Sequence, residues 1–163
     1  MEQLSILATR KRSVVRLTRN SKILKTIIKA IQEKKGENIV SLDLRKIPEA
    51  VADFFVVCEA GSTTQVKAIA DSVEEEVRKN CDELPYKHEG RQTLQWVLID
   101  YVNVVVHVML PENRRFYKLE DMWSDAPRKN MKGRKGPGTD NLTVYFAVSG
   151  VFPNFFALLC FII

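Results

Sequence analysis

Gln95 to Leu110 reads QWVLIDYVNVVVHVML, and the fold class follows from this stretch. Valine, isoleucine, leucine, tryptophan and tyrosine fill it, with Asp100, Asn103 and His107 as interruptions. Branched and aromatic side chains suit a pleated surface. The run therefore reads as two apolar strands joined at Val102-Asn103. Near-continuous apolarity implies burial on both faces, as in a sheet covered by helices, and places this hairpin at the centre of the sheet. The interrupting polar residues are then the informative ones, because a dry strand tolerates Asp or His only where a partner or solvent meets it.

Working outward, DFFVVCE at 53 to 59 is a second near-apolar strand, turned by Gly61. Ser62-Thr63-Thr64-Gln65 follows as a capping box, in which the Ser hydroxyl and the Gln side chain satisfy free backbone N–H groups of a new helix. Val66, Ile69, Ala70, Val73 and Val77 line that helix's buried face, with Glu74 to Arg78 and Glu75 to Lys79 as i,i+4 pairs on the wet one. Upstream, a first helix is expected from an N-cap at Asn20 or Ser21. Ile23, Leu24, Ile27, Ile28 and Ile31 form its stripe, and Gly36 ends it. A strand at Asn38 to Leu44 puts Val40, Leu42 and Leu44 on one face. Leu84 to Gln92 is irregular or edge-like, with a turn near His88-Glu89-Gly90. After Pro111 a short helix offers Phe116, Tyr117, Leu119, Met122 and Trp123 as apolar anchors. The order of elements predicts an α/β fold, a mixed sheet of about five strands flanked by helices.

A chain of 163 residues, 45% of them apolar, supports one domain with appendages. The net charge of +5 is not evenly spread. Residues 1 to 20 carry five Lys/Arg against one acid, residues 128 to 163 carry five against one, and residues 21 to 127 carry 15 against 18. The globular part is mildly acidic, so no basic groove is expected on the fold, and phosphate contacts fall to the flanks. The expected division is a basic N-terminal extension over 1–20, the α/β domain over 21–126, a basic Gly/Pro linker over 127–141 and an apolar tail over 142–163. Cys58, Cys81 and Cys160 are odd in number and lack CxxC spacing, which points to a reducing compartment and a cytoplasmic protein. No secretory signal opens the chain. Its Arg-rich, nearly acid-free start is read as a loose basic extension in preference to a mitochondrial presequence.

Catalytic chemistry finds little footing. Gly61-Ser62 entering a helix after a strand resembles the phosphate-cradling start of nucleotidyltransferase-like folds. Such enzymes also hold Mg²⁺ on paired strand carboxylates, and no D-x-D or D-x-E stands on a strand after Ser62. His88 and His107 have no Cys or second His at ligand spacing, and no P-loop or dinucleotide glycine set is present. His107 has two readings: a core histidine satisfied by a backbone or Asp partner, which is favoured, or a polar contact at a partner surface.

Four blocks resemble the ribosomal silencing factor (RsfS, also called Iojap) family: DFFVVCEAGSTTQVKAIADSVEEEV at 53 to 77, HEG at 88 to 90, WVLIDYVNVVVHVM at 96 to 109 and RRFYKLEDMWSDA at 114 to 126. The resemblance implies a nucleotidyltransferase-like topology without the catalytic carboxylates, no enzyme activity, no metal and no cofactor. It also implies binding to the large ribosomal subunit through ribosomal protein fourteen, on the face that meets the small subunit. Occupying that face blocks subunit joining and lowers translation when nutrients are scarce. Organellar relatives act in large-subunit assembly, which is one alternative; a nucleotidyltransferase-like enzyme is another. The family commonly reads D-Y-G-D-V-V-V-H where this chain has Asp100-Tyr101-Val102-Asn103-Val104-Val105-Val106-His107. Without that glycine the turn is expected to be wider or to rest on Asn103.

The residues expected to meet a partner are Trp96, Asp100, Tyr101 and the Gly61, Ser62, Gln65 segment, with Tyr117 and Trp123 behind them. Aromatics bury area with few rotors and concentrate at interface centres. No sequence-specific nucleic-acid binding is expected, and a homodimer is compatible with the reading. The uncharged tail LTVYFAVSGVFPNFFALLCFII has the length of a membrane span. Ser149, Gly150, Pro153 and Asn154 stand at its centre, so a foreign or loosely attached segment ranks first, a membrane anchor second and a packed hairpin third.

Overall fold

The computed structural model describes residues 17–19 and 21–131. The elements run α1 (Lys22–Glu33), β1 (Glu37–Asp43), β2 (Phe54–Glu59), α2 (Thr63–Cys81), β3 (Lys87–Glu89), β4 (Trp96–Asp100), β5 (Val104–Met109), α3 (Pro111–Tyr117), α4 (Leu119–Met122) and β6 (Arg128–Met131). They build a six-stranded mixed sheet in the order β3-β4-β5-β2-β1-β6. β2 and β5 pair in parallel, Phe54 opposite Val104 through Glu59 opposite Met109, and every other pairing is antiparallel. A parallel neighbour needs a crossover, and α2 with the β3–β4 hairpin supplies it. The sheet centre is thus the β5–β2 pair, with the β4 half of the predicted hairpin one strand nearer the edge.

All of β5 is buried. On one sheet face Phe54, Val56, Cys58, Val97, Ile99, Val104, Val106 and Val108 pack against Ile23, Leu24, Ile27 and Ile31 of α1 and Val66, Ile69, Val73 and Val77 of α2. Both helical stripes are those the 3.6-residue period marks. Burial pushes the Cys58 thiol up to about 12, as befits a small core residue. The opposite face carries Leu42, Leu44, Phe55, Leu98 and Val105 in one cluster and Val57, Met109 and Leu119 in a second.

Several local expectations are revised. The β4–β5 turn rests on Val102, not on Asn103: Val102 itself adopts φ 70°. Three hydrogen bonds hold it there. The Val102 N–H donates to Asp100 Oδ1 at 2.7 Å, the Asn103 N–H to the Tyr101 carbonyl at 2.8 Å and the Tyr101 N–H to the Val104 carbonyl at 2.9 Å. A branched residue in the left-handed region costs roughly 1–2 kcal/mol, which this cage offsets. Ser21 begins α1 without a side-chain cap bond. At the other end of α1, Lys35 takes the positive φ, and Gly36 is needed for space, since a Cβ there would stand 2.4 Å from Ile31 Cγ2. Glu74 pairs with Arg91 at 2.5 Å instead of with Arg78, and Arg91, in the turn between β3 and β4, also reaches Asp71 at 2.6 Å; Glu75 and Lys79 do pair, at 2.6 Å.

Both flanks are tied to the same corner. The Leu17 N–H donates to Asp53 Oδ2 at 3.2 Å and Arg19 pairs with Asp43 at 2.9 Å, so residues 17–19 of the expected loose extension are docked. The Arg45 guanidinium, 2.6 Å away, holds the Asp43 carboxyl down at about 2. The Asp43 N–H donates to the Pro127 carbonyl at 3.0 Å, and β6 then runs antiparallel along β1 from Arg128 opposite Leu42 to Met131 opposite Ile39. This sixth strand lies inside the stretch read as linker, so the sheet continues past Ala126. RKNM carries no apolar alternation because an exposed edge strand is held by backbone pairing and guarded by its charges. The rest of the expected linker and the apolar tail lie outside the described residues. No helix among the described residues is long and apolar enough to cross a membrane. Removing everything after Ala126 uncovers the β1 edge. The thermal midpoint of such a chain should fall by about 5 °C or more relative to one ending at Met131; equal midpoints in calorimetry would show β6 to be dispensable.

Candidate functional site

Strand alternation points Trp96 of β4, His107 of β5 and Phe55 of β2 to the sheet face away from α1 and α2. Only short segments cover that face. Their rings form a continuous row: Trp123 meets Phe55 edge-on at 5.8 Å, Phe55 meets His107 at 5.0 Å, His107 meets Trp96 at 5.9 Å, Trp96 meets Tyr117 at 4.9 Å and Tyr117 meets Phe116 at 5.0 Å. Edge-to-face and tilted contacts of this kind add to area burial. Through Tyr117 the row climbs from the dry centre of the sheet to its surface, ending on Phe116 with 76% of its area exposed; Met122, 38% exposed, precedes Trp123 at the row's other end.

His107 sets the polarity of the row. The Trp96 indole N–H donates to His107 Nδ1 at 3.2 Å, so the imidazole is neutral with its proton on Nε2, which finds no partner among the described residues. Burial pushes the ring down to about 3. This is a core histidine, as favoured from the sequence, although its partner is an indole and neither a backbone group nor an aspartate. A ring neutral throughout the physiological range, closed to solvent, offers packing and orientation of Trp96. Among the described residues no three His, Cys, Asp or Glu side chains converge as a metal-binding group.

The residues expected at a partner surface separate into three places. Trp96, Tyr117 and Trp123 come together, each half-buried on the aromatic face. Asp100 lies at the far end of β4, 3% exposed, with its carboxylate turned onto the Val102 N–H. That carboxylate serves the turn as an acceptor. Tyr101 points to the opposite sheet face, buried, and burial raises its phenol. Gly61, Ser62 and Gln65 stand where β2 ends, and their polar groups are engaged within the chain. Ser62 Oγ accepts the Gln65 N–H at 3.2 Å, and Gln65 Oε1 accepts the Gly61 N–H at 2.8 Å. Gln65 Nε2 donates to the carbonyls of Lys34 at 3.1 Å and Lys35 at 3.0 Å, tying the start of α2 to the end of α1. The capping box thus closes on Gly61, whose amide is occupied.

Phe116, read from the sequence as an apolar anchor, is instead the exposed end of the row, and Met122, read likewise, is also exposed. The signal was present in the adjacent Phe116-Tyr117 pair, since two neighbouring residues of a short helix cannot both face the same core.

The protonation of His107 gives a pH test. Above about pH 6.5, its ordinary value, folded and unfolded chains are both neutral there. As pH falls below it the unfolded chain takes up a proton that the folded one refuses down to about 3, so stability is lost on acidification, by at most about 1.4 kcal/mol per pH unit. His107→Gln should be less stable at pH 7 yet lose less on going to about pH 4.5 in urea titrations. Equal losses in the two proteins would remove His107 from the account.

The match to known proteins is consistent with this geometry. Residues 18–143 match the family described as ribosomal silencing factor during starvation. The chain is 37% identical over 114 residues to ribosomal silencing factor RsfS of Halalkalibacterium halodurans, covering 70% of this chain and 96% of that protein. It is 40% identical over 105 residues to ribosomal silencing factor RsfS of Bacillus subtilis, covering 64% of this chain and 87% of that one. A crystal structure of a Chromobacterium violaceum protein superposes with a TM-score of 0.60 at 36% identity, covering 63% of this chain and 83% of that chain. With the family match spanning most of its length and both flanks of the aromatic face inside it, the chain belongs to the ribosomal silencing factor family.

Proposed function

We propose that this protein acts in the cytoplasm by binding the large ribosomal subunit through ribosomal protein fourteen, with its aromatic face turned to the ribosome. Bound there, it covers the surface the small subunit must meet and so represses translation when nutrients are scarce. The observation that carries this reading is the aromatic row ending on exposed Phe116. A large apolar side chain held outside a folded domain by rigid aromatic neighbours is ready to fill a pocket at little conformational cost. Trp96, Tyr117 and Trp123 supply the area behind it. The mechanism is steric: two bodies cannot occupy one face, and no bond need be made or broken. Asp100, Tyr101 and the Gly61 to Gln65 segment support the fold that presents this face.

The purified protein should co-sediment with free large subunits and lower the yield of joined ribosomes without consuming nucleotide. A sample that left joining unaffected while incorporating nucleotide into an acceptor in Mg²⁺ would instead establish an enzyme. Tyr117→Ala should weaken subunit binding by about 2 kcal/mol, roughly thirtyfold, with the circular dichroism spectrum retained. Asp100→Lys should behave differently, losing the folded spectrum because a lysine cannot accept the Val102 N–H; a folded Asp100→Lys protein with weakened binding would return that residue to the docking surface.

A further inference from the structure

α3 carries Phe116 and Tyr117, yet none of its residues is buried. A helix of seven residues has no independent stability in water, so something outside it must fix its position. Leu119 anchors the chain beyond its end, and half-buried Tyr117 leans on the Val57, Met109, Leu119 cluster. A further attachment is made by the Arg114 side chain. Arg114 Nη1 donates to the Asn38 carbonyl at 2.7 Å and lies 3.2 Å from Glu59 Oε1; its Nε donates to Glu120 Oε1 at 2.8 Å, and its Nη2 binds the same oxygen. One guanidinium thus joins α3 to β1, to the end of β2 and to α4. Its side chain is 11% exposed, and both carboxylates are nearly as sheltered, which sets this cluster apart from the solvent-screened pairs along α2.

The acceptors are themselves held. Asn38 sits at φ 46° where the register of β1 against β2 shifts, and its Nδ2 donates to Glu59 Oε2 at 2.8 Å. The irregularity turns the Asn38 carbonyl out of the ladder and toward α3. Arg128 of β6 donates to the Glu120 carbonyl at 2.7 Å, so the edge strand braces the far side. Tyr117 lies one helical turn after Arg114 and packs at a tilt on Trp96, ring centres 4.9 Å apart. A fork reaching three acceptors fixes orientation as well as distance, which a lysine ammonium cannot do.

We infer that Arg114 is a positioning residue for docking: its fork to Asn38, Glu59 and Glu120 holds α3 at the angle that packs Tyr117 on Trp96 and presents Phe116. This rests on the proposed docking through the aromatic face. Arg114 touches no partner in the account. Its effect on binding passes through Tyr117 and Phe116.

The test uses the full chain with Arg114→Met, Arg114→Lys, Tyr117→Ala and the Arg114→Met/Tyr117→Ala double variant. In the free proteins, hydrogen exchange at the amides of Arg114 to Lys118 should accelerate at least tenfold in Arg114→Met and by less in Arg114→Lys, while exchange in β5 is unchanged. With purified large subunits, Arg114→Met should bind at least tenfold more weakly, Arg114→Lys should fall between it and the wild type, and the double variant should bind no more weakly than the weaker single. Losses that multiply in the double variant would make Arg114 a general stabiliser or a direct contact, and unchanged α3 exchange would overturn the inference outright. Should Arg114→Met fail to fold, Arg114→Lys carries both readouts. If the wild-type protein itself does not bind large subunits, the docking reading fails separately, and the exchange measurement still decides whether Arg114 fixes α3.

Discussion

The parallel pairing of β2 with β5 is the constraint on which the structure depends. Every residue of β5 is buried and β2 is buried up to Glu59, so both faces of the pair must be covered. α1 and α2 cover one face with two amphipathic stripes. On the other face the short chain after β5 has too little helix to do the same, and aromatic rings take over that task. Phe55, His107 and Trp96 fill the space beneath two small helices, and because those helices are short, the outer rings are left half-exposed. The proposed docking face follows from how the sheet is closed.

Polar residues inside the dry strands show the same economy. His107 accepts the Trp96 indole N–H and remains uncharged, so it lends the core an acceptor without an ion. Asp100 receives the Val102 N–H and holds a branched residue at positive φ, a conformation glycine would adopt freely. Asp43 and Asp53 secure the incoming N-terminal chain at the opposite end of the sheet from Phe116. His107 Nδ1 and the carboxylates of Asp43, Asp53 and Asp100 each meet a local backbone or side-chain demand, so these groups serve the fold.

Much of this was legible in the sequence. The hairpin, the two long helices and the capping box follow from period and spacing, since each is decided within a dozen residues. What was not legible depends on distant partners. β6 escaped notice because an edge strand is specified by the neighbour it pairs with, and Arg128 to Met131 show nothing apolar to mark it. The role of Asp100 in the turn was hidden because only the bent backbone reveals the amide it caps. The aromatic row joins residues 55, 96, 107, 117 and 123, which come from separate elements and share no pattern along the chain. Arg114 stood inside a block that resembles the family, yet its three acceptors at Asn38, Glu59 and Glu120 are visible only in space.

Hydroxyl-radical footprinting of the protein bound to large ribosomal subunits tests the central claim most directly, because the reagent oxidises aromatic and sulfur side chains, the residue types that form this face. Leu84 and Tyr86, 72% and 53% exposed beside β3, lie outside the row and serve as the internal reference. The account predicts that binding protects Phe116, Tyr117, Met122 and Trp96 while Leu84 and Tyr86 react as in the free protein. Protection of Leu84 and Tyr86 with Phe116 and Met122 still fully reactive would contradict it.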